Sequence, residues 1–233
     1  MTPLTWWCYN RGALGNVLFG AVRAVLTELL GDAKYAGGRG AFLLGLHTWS
    51  RTLALHPHIH ALVADGALSD AGAWVCPRRS HFLPARVVMI LFRGKFCDRV
   101  REALARGRLR LPPDTSAARV RSALNRLGRR KWNVRLMRRY AHGAGVAAYL
   151  ARYLRGGPLK NAQLIEVGAR RTRFRAKGDG GAEAGAPPVL ELAPHAFLAR
   201  FNHGASPTRC PRCQQRLQVL PLTPPATGPP RGH

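Results

Sequence analysis

His56-Pro57-His58-Ile59-His60-Ala61-Leu62-Val63 is the stretch on which the reading of this chain turns. Side chains on a strand alternate between its two faces, so His58 and His60 project together while Ile59 projects the other way. A neutral imidazole nitrogen is a common ligand for divalent metals, and two of them leave positions for a phosphate oxygen and for one more protein group. Taken alone, a His-x-His pair more often marks partly exposed strand histidines that contact phosphate. His58 to Ala64 reads as the strand proper. A preceding strand covers Ala41 to Trp49, and Pro57 falls in the connection between the two.

Upstream, Leu14, Val17, Leu18, Ala21, Val22, Val25, Leu26 and Leu29 recur at helical spacing, and Gly31-Asp32 supplies the stop. Downstream, Val87, Val88, Leu91, Phe92, Phe96, Val100 and Leu104 predict a long helix from Pro84 to Ala105. A short helix is expected over residues 116 to 127. A strand is expected from Lys131 to Met137, where Trp132, Val134 and Leu136 alternate with polar neighbours. His142 to Leu154 reads as a helix stopped by Gly156-Gly157-Pro158. Short strands follow at Gln163 to Val167, Arg171 to Ala176 and Val189 to Leu192, then a helix from Pro194 to Phe201. Strands interleaved with helices, without strict alternation, imply an α+β fold with an antiparallel sheet flanked by helices.

The formal net charge is +26, from 37 Lys and Arg against 11 Asp and Glu. A compact chain with that charge carries a strong positive field, and a polyanion is the partner that best relieves it. Nucleic acid is favoured over a membrane, because no run approaches the roughly 18 consecutive apolar residues of a spanning helix. Thr2-Pro3-Leu4-Thr5-Trp6-Trp7 lacks the form of a signal peptide. A cytoplasmic, nucleoid-associated protein is the expectation. The five cysteines include one close pair, Cys210 and Cys213, which does not make a disulfide framework. That pair is two ligands of the four a structural zinc site needs; His203 is a candidate third, and sharing within a homo-oligomer is another way to complete it.

Tyr149 and Tyr153 stand four residues apart, one turn along a helix, so either phenol can reach the same place. The same spacing with Val146, Leu150 and Leu154 also describes an ordinary core stripe. Arg152 and Arg155 beside the tyrosines, and Arg93 and Lys95 on the long helix, are candidate phosphate contacts; for such residues a solvated helix face is the plainer alternative.

Leu46-His47-Thr48-Trp49, Leu53 and His56 to Val63, followed by Gly66-Ala67-Leu68-Ser69, resemble the HUH motif region of two-tyrosine, rolling-circle insertion-sequence transposases. The resemblance continues in Phe82-Leu83-Pro84-Ala85-Arg86-Val87, in Leu91-Phe92-Arg93-Gly94-Lys95-Phe96 and in Lys131-Trp132-Asn133-Val134. Tyr149 to Pro158 is similar to the family's catalytic tyrosine helix. The resemblance implies a ferredoxin- or RRM-like nuclease palm and a Mg²⁺ or Mn²⁺ ion on His58 and His60. It also implies that Tyr149 or Tyr153 nicks single-stranded transposon ends through a 5′-phosphotyrosine. The family usually shows Gln where Arg51 stands, which leaves the third ligand open between His56 and His47. His56 lies about 13 Å along an extended strand from His60 and needs a bend to share an ion. The family's N-terminal cysteine-rich module and initial strand do not precede the first helix, so a member shortened at both ends is expected. The expected organisation is a nuclease domain over 1–200, a Cys-x-x-Cys knuckle over 201–220 and a Pro/Gly-rich disordered tail over 221–233. A catalytically inactive DNA-binding derivative and a non-enzymatic RNA-binding protein are the alternatives.

Overall fold

The computed structural model describes residues 3–50, 52–77, 83–113, 115–137, 139–154, 159–176 and 187–201. Its elements are helices α1 (Pro3–Tyr9) and α2 (Arg11–Gly31), strands β1 (Arg39–Trp49), β2 (Leu55–Leu68) and β3 (Trp74–Val75), and helices α3 (Ala85–Ala105), α4 (Ala117–Arg129) and α5 (Gly143–Leu154). A turn of 3-10 helix then leads to β4 (Leu164–Val167), β5 (Thr172–Arg175), β6 (Val189–Leu192) and α6 (Pro194–Phe201). The chain is α+β, with antiparallel sheets flanked by helices, as the patterning implies. The strands form two three-stranded sheets, ordered β1-β2-β3 and β4-β5-β6. The described residues divide into two compact units, those within 1–48 and 56–154, and those within 49–55 and 159–201.

In the first unit, α2 buries Leu14, Leu18, Ala21, Val25, Leu26, Leu29 and Leu30. Val25, Leu26, Leu29 and Leu30 form one cluster with Val87, Val88, Leu91 and Phe92 of α3 and with Phe42, Leu44, Val63 and Ala67 of the sheet. By length and composition α2 is apolar enough to cross a membrane. Here its apolar stripe is instead the centre of the core, and exposed Arg23 interrupts the apolar run midway. Cys97 and Val100 of α3 bury against Val120 and Leu124 of α4, and burial pushes the Cys97 thiol above its ordinary value. Buried Asn10 donates to the carbonyls of Trp6 and Arg110 and accepts from the Arg110 amide, tying the α1–α2 junction to the segment after α3.

Where β1 crosses α2, Gly40 has no side chain because none fits: a Cβ there would stand 2.9 Å from the Cβ of fully buried Leu30 and overlap its Cδ1. Gly40→Ala is expected to cost about 1–3 kcal/mol in urea unfolding, the range for overpacking a filled core. Combined with Leu30→Ala, it should cost less than the sum of the two, since the cavity made by one receives the methyl of the other. Additive losses would contradict this contact.

Two expectations are corrected. Pro57 lies inside β2, not in the connection before it. Proline is tolerated there because β3 pairs with β2 only at Ala67 and Leu68, so among the described residues β2 has β1 as its one neighbour at residue 57 and no ladder bond is lost on the other side. Lys131 to Met137 forms no strand. Trp132 still turns inward, onto Phe92 and Phe96 at ring separations of 5.3 and 5.2 Å, and its indole donates to the Leu127 carbonyl. The alternation recorded the inward turn of Trp132 and Val134 but not of Leu136, which is exposed, and with no partner strand it could not record a ladder.

In the second unit, β5 pairs with β4 and β6, opposing Arg173 to Glu191. Arg171 and Arg173 bridge Glu166 and Glu191 across the sheet, and the Arg171 guanidinium holds the exposed Glu166 carboxyl below its ordinary range. On the core side, fully buried Phe174 meets Phe197 of α6 at 5.4 Å. Arg200 donates to the Thr52 carbonyl at 2.6 Å.

Candidate metal centre

The β1–β2 sheet separates its residues by parity. Phe42, Leu44, Val63 and Ala67 face α2 and α3, and Leu46 sits 3.6 Å from the point where Gly15 of α2 would carry a Cβ. The period of two then sends His47, His58 and His60 to the opposite face. Their ring nitrogens form one group in which the chosen ligand atoms all lie within 4.8 Å of one another. The His47 ring is 4.5 Å from that of His60 and 5.6 Å from that of His58.

Hydrogen bonding orients the group. His58 Nδ1 lies 2.6 Å from the His56 carbonyl oxygen, an acceptor, so Nδ1 carries the proton and Nε2 presents a lone pair. That Nε2 stands 3.1 Å from His60 Nε2. Two nitrogens each about 2.1 Å from a shared metal at angles between octahedral and tetrahedral are about 3.0–3.4 Å apart, so the β2 pair already has the spacing of adjacent ligands. Burial, then the neighbouring His47 and His58 charges, push His60 down to about 4. Burial is also the main cause that lowers His58, with His56 and His47 adding to it against the opposing bond to the His56 carbonyl. Both rings are therefore neutral at neutral pH, the form that ligates metal. The donor set fits a divalent cation, and its all-nitrogen character leaves any remaining coordination to oxygen ligands from elsewhere.

Of the two residues between which the sequence leaves the third position open, His47 belongs to this group and His56 does not. The His56 ring is exposed, 4.9 Å from that of His58, and this residue's contribution is its carbonyl. Arg51 lies outside the described residues.

Helix α5 brings Tyr149 to the same face. Its half-buried ring is 6.3 Å from that of His60. Arg139, just before the helix, is ion-paired with Asp65 of β2, a second tie between this segment and the histidine strand. Tyr149 also meets Tyr140, at 6.0 Å. Tyr140 lies over the first turn of α5, where a Cβ on Gly145 would come within 2.7 Å of its ring. Sequence reasoning passed over Tyr140; the sign was an aromatic residue just before a helix that opens with two glycines, Gly143 and Gly145. Tyr153 and Arg152 are on α5, but their side chains lie outside the described residues, as do Arg155, Cys210 and Cys213. Arg93 donates to the Arg130 carbonyl at 2.7 Å, and Lys95 pairs with Glu28 at 2.6 Å. Among the described residues Cys8, Cys76 and Cys97 are not disulfide-bonded.

Comparison with known proteins bears on this arrangement. A family model described as "Putative transposase" matches residues 40–213. The chain is 31% identical over 197 residues to "Putative transposase y4qJ" of Sinorhizobium fredii, covering 82% of this chain and 49% of that protein. It is 30% identical over 160 residues to "Transposase for insertion sequence element IS801" of Pseudomonas savastanoi pv. phaseolicola, covering 67% of this chain and 37% of that protein. The chain thus spans about half or less of the length of these relatives. No solved structure matches it. The family match takes in both histidine strands, the tyrosine helix and most of the chain, and the chain belongs to the Y2_Tnp transposase family.

Proposed function

We propose that this chain is a metal-dependent DNA-nicking and strand-transferring transposase of the HUH type. The observation that carries the reading is the convergence of three half-buried imidazoles, His47, His58 and His60, with the phenol ring of Tyr149 beside His60. His58 and His60, with His47 as third ligand, would hold Mg²⁺ or Mn²⁺. Such an ion supplies charge neutralisation at a phosphodiester and polarises its phosphorus. This is needed because a phenol with an ordinary pKa near 10 is a weak nucleophile at neutral pH.

The Tyr149 oxygen forms a bond to phosphorus and gives up its proton to water. The bond from phosphorus to the 3′ oxygen breaks, and that oxygen leaves as a 3′-hydroxyl after taking a proton. The 5′ end remains as a phosphotyrosine ester. The ester conserves the energy of the broken bond, so a later 3′-hydroxyl can attack it and release the tyrosine. Tyr153, one turn further on, is positioned in sequence to hold a second strand end. Single-stranded transposon ends are the substrate in this reading, and the +26 charge supports a polyanionic one.

The test is to incubate the chain with end-labelled single-stranded DNA from the ends of its own element, with Mn²⁺ or Mg²⁺, and to separate the products under denaturing conditions. A labelled band that migrates with the protein, and is lost on chelation, is the expected result. DNA that binds but never becomes attached would overturn the reading in favour of DNA binding without nicking. That second reading is favoured by Arg51, a cation where the resemblance expects the amide of a Gln.

A further inference from the structure

Helix α4 carries an apolar stripe and, beside it, an exposed arginine face. Val120, Ala123 and Leu124 are buried against the core, while Arg119, Arg126 and Arg129 are exposed. At 100° per residue the three arginines fall within about 80° of one another, along about 15 Å of helix. The charge does not end with the helix. Beyond it Lys131 and Arg135 point outward, alternating with the inward Trp132 and Val134.

The surrounding segment is poor in acid: between Glu102 and Glu166 the chain has 15 Lys and Arg and one acid, Asp114. The acids of the adjacent helix α3 are engaged at home, Asp98 with Arg101 and Glu102 with Arg106. Such a ridge destabilises the isolated chain through like-charge repulsion, which a polyanion would relieve. Arginine also presents a planar fork of donors that matches phosphate oxygens two at a time.

We propose that the outward face of α4, continued by Lys131 and Arg135, is a rail that binds the phosphate backbone of DNA without reading its bases. The choice of DNA among polyanions rests on the function proposed above. Duplex DNA carries one charge per about 1.7 Å of axis, so a ridge of this length spans several phosphates. The rail is a surface in addition to the metal centre, and it sets affinity and salt dependence without taking part in the nicking step.

The experiment measures binding of the full chain to a single-stranded oligonucleotide and to a duplex, in chelator, over a range of salt. Without metal no nicking occurs, so failure of the nuclease reading cannot be mistaken for failure of this one. Arg119→Gln, Arg126→Gln and Arg129→Gln are combined, and Arg→Lys at the same positions is the second variant. For the Gln variant the salt slope should fall by about 2 for single strands or about 3 for duplex, with affinity down about tenfold or more. The Lys variant should keep the slope and lose a smaller part of the affinity. Loss confined to one form of DNA identifies which form lies on the rail. An unchanged slope and affinity in the Gln variant would overturn the proposal. So would a Lys variant, folded by circular dichroism, that loses the slope although its charge is retained.

Discussion

With Tyr149 and Tyr153 both replaced by Phe, the protein should bind single-stranded DNA with nearly unchanged affinity and salt dependence, yet form no covalent adduct. The phenyl rings preserve packing, including that of Tyr149 against His60 and Tyr140. They remove only the oxygen that would attack phosphorus. Loss of a nucleophile with the rest of the site intact is expected to reduce the rate by about 10³-fold or more. Of the single variants, Tyr149→Phe should be the more severe in the first nicking step, since its ring stands 6.3 Å from that of His60. An adduct that persists in the double variant would sink the nucleophile assignment.

The second large effect concerns the histidines, taken one at a time. Alanine at His58 or His60 should weaken Mn²⁺ binding by about 100-fold or more, beyond the 10- to 100-fold typical of removing a group that merely supports a ligand. His47→Ala should fall close behind. His56→Ala should change affinity only about twofold to threefold, because the residue serves His58 through its backbone carbonyl, which alanine retains. Titration calorimetry or the electron paramagnetic resonance of Mn²⁺ reads all four. A His56→Ala loss as large as that of His60→Ala would move the third ligand from β1 to β2 and contradict the geometry of the group. The same variants should leave the thermal transition within a few degrees, since these imidazoles lie on the sheet face away from the α2–α3 core.

Much of this was legible along the chain. The 3.6-residue period located α2, α3, α4 and α5 to within a few residues, because each buries one stripe and exposes the rest. The two-residue period of β2 placed His58 and His60 on one face, since strand geometry fixes that relation whatever the sheet packs against. Local pattern was weaker where pairing decides. Lys131 to Met137 has the alternation of a strand and lacks a neighbour, and Pro57 is admitted to β2 only because β3 stops short of it. The division of the strands into two sheets also depends on contacts between distant segments.

The candidate site divides in the same way. The sequence by itself determined the His58–His60 pair, the helical spacing of Tyr149 and Tyr153, and the basic charge, all of which are relations between near neighbours or plain counts. Only the tertiary structure decided that His47 and not His56 joins the pair, that Tyr149 stands near both His60 and Tyr140, and that Arg93 and Lys95 are held by Arg130 and Glu28. The reason is physical: separation along the chain sets distance only within one element. His47 and His60 meet because strand pairing between β1 and β2 sets their register, and register is a property of the folded sheet.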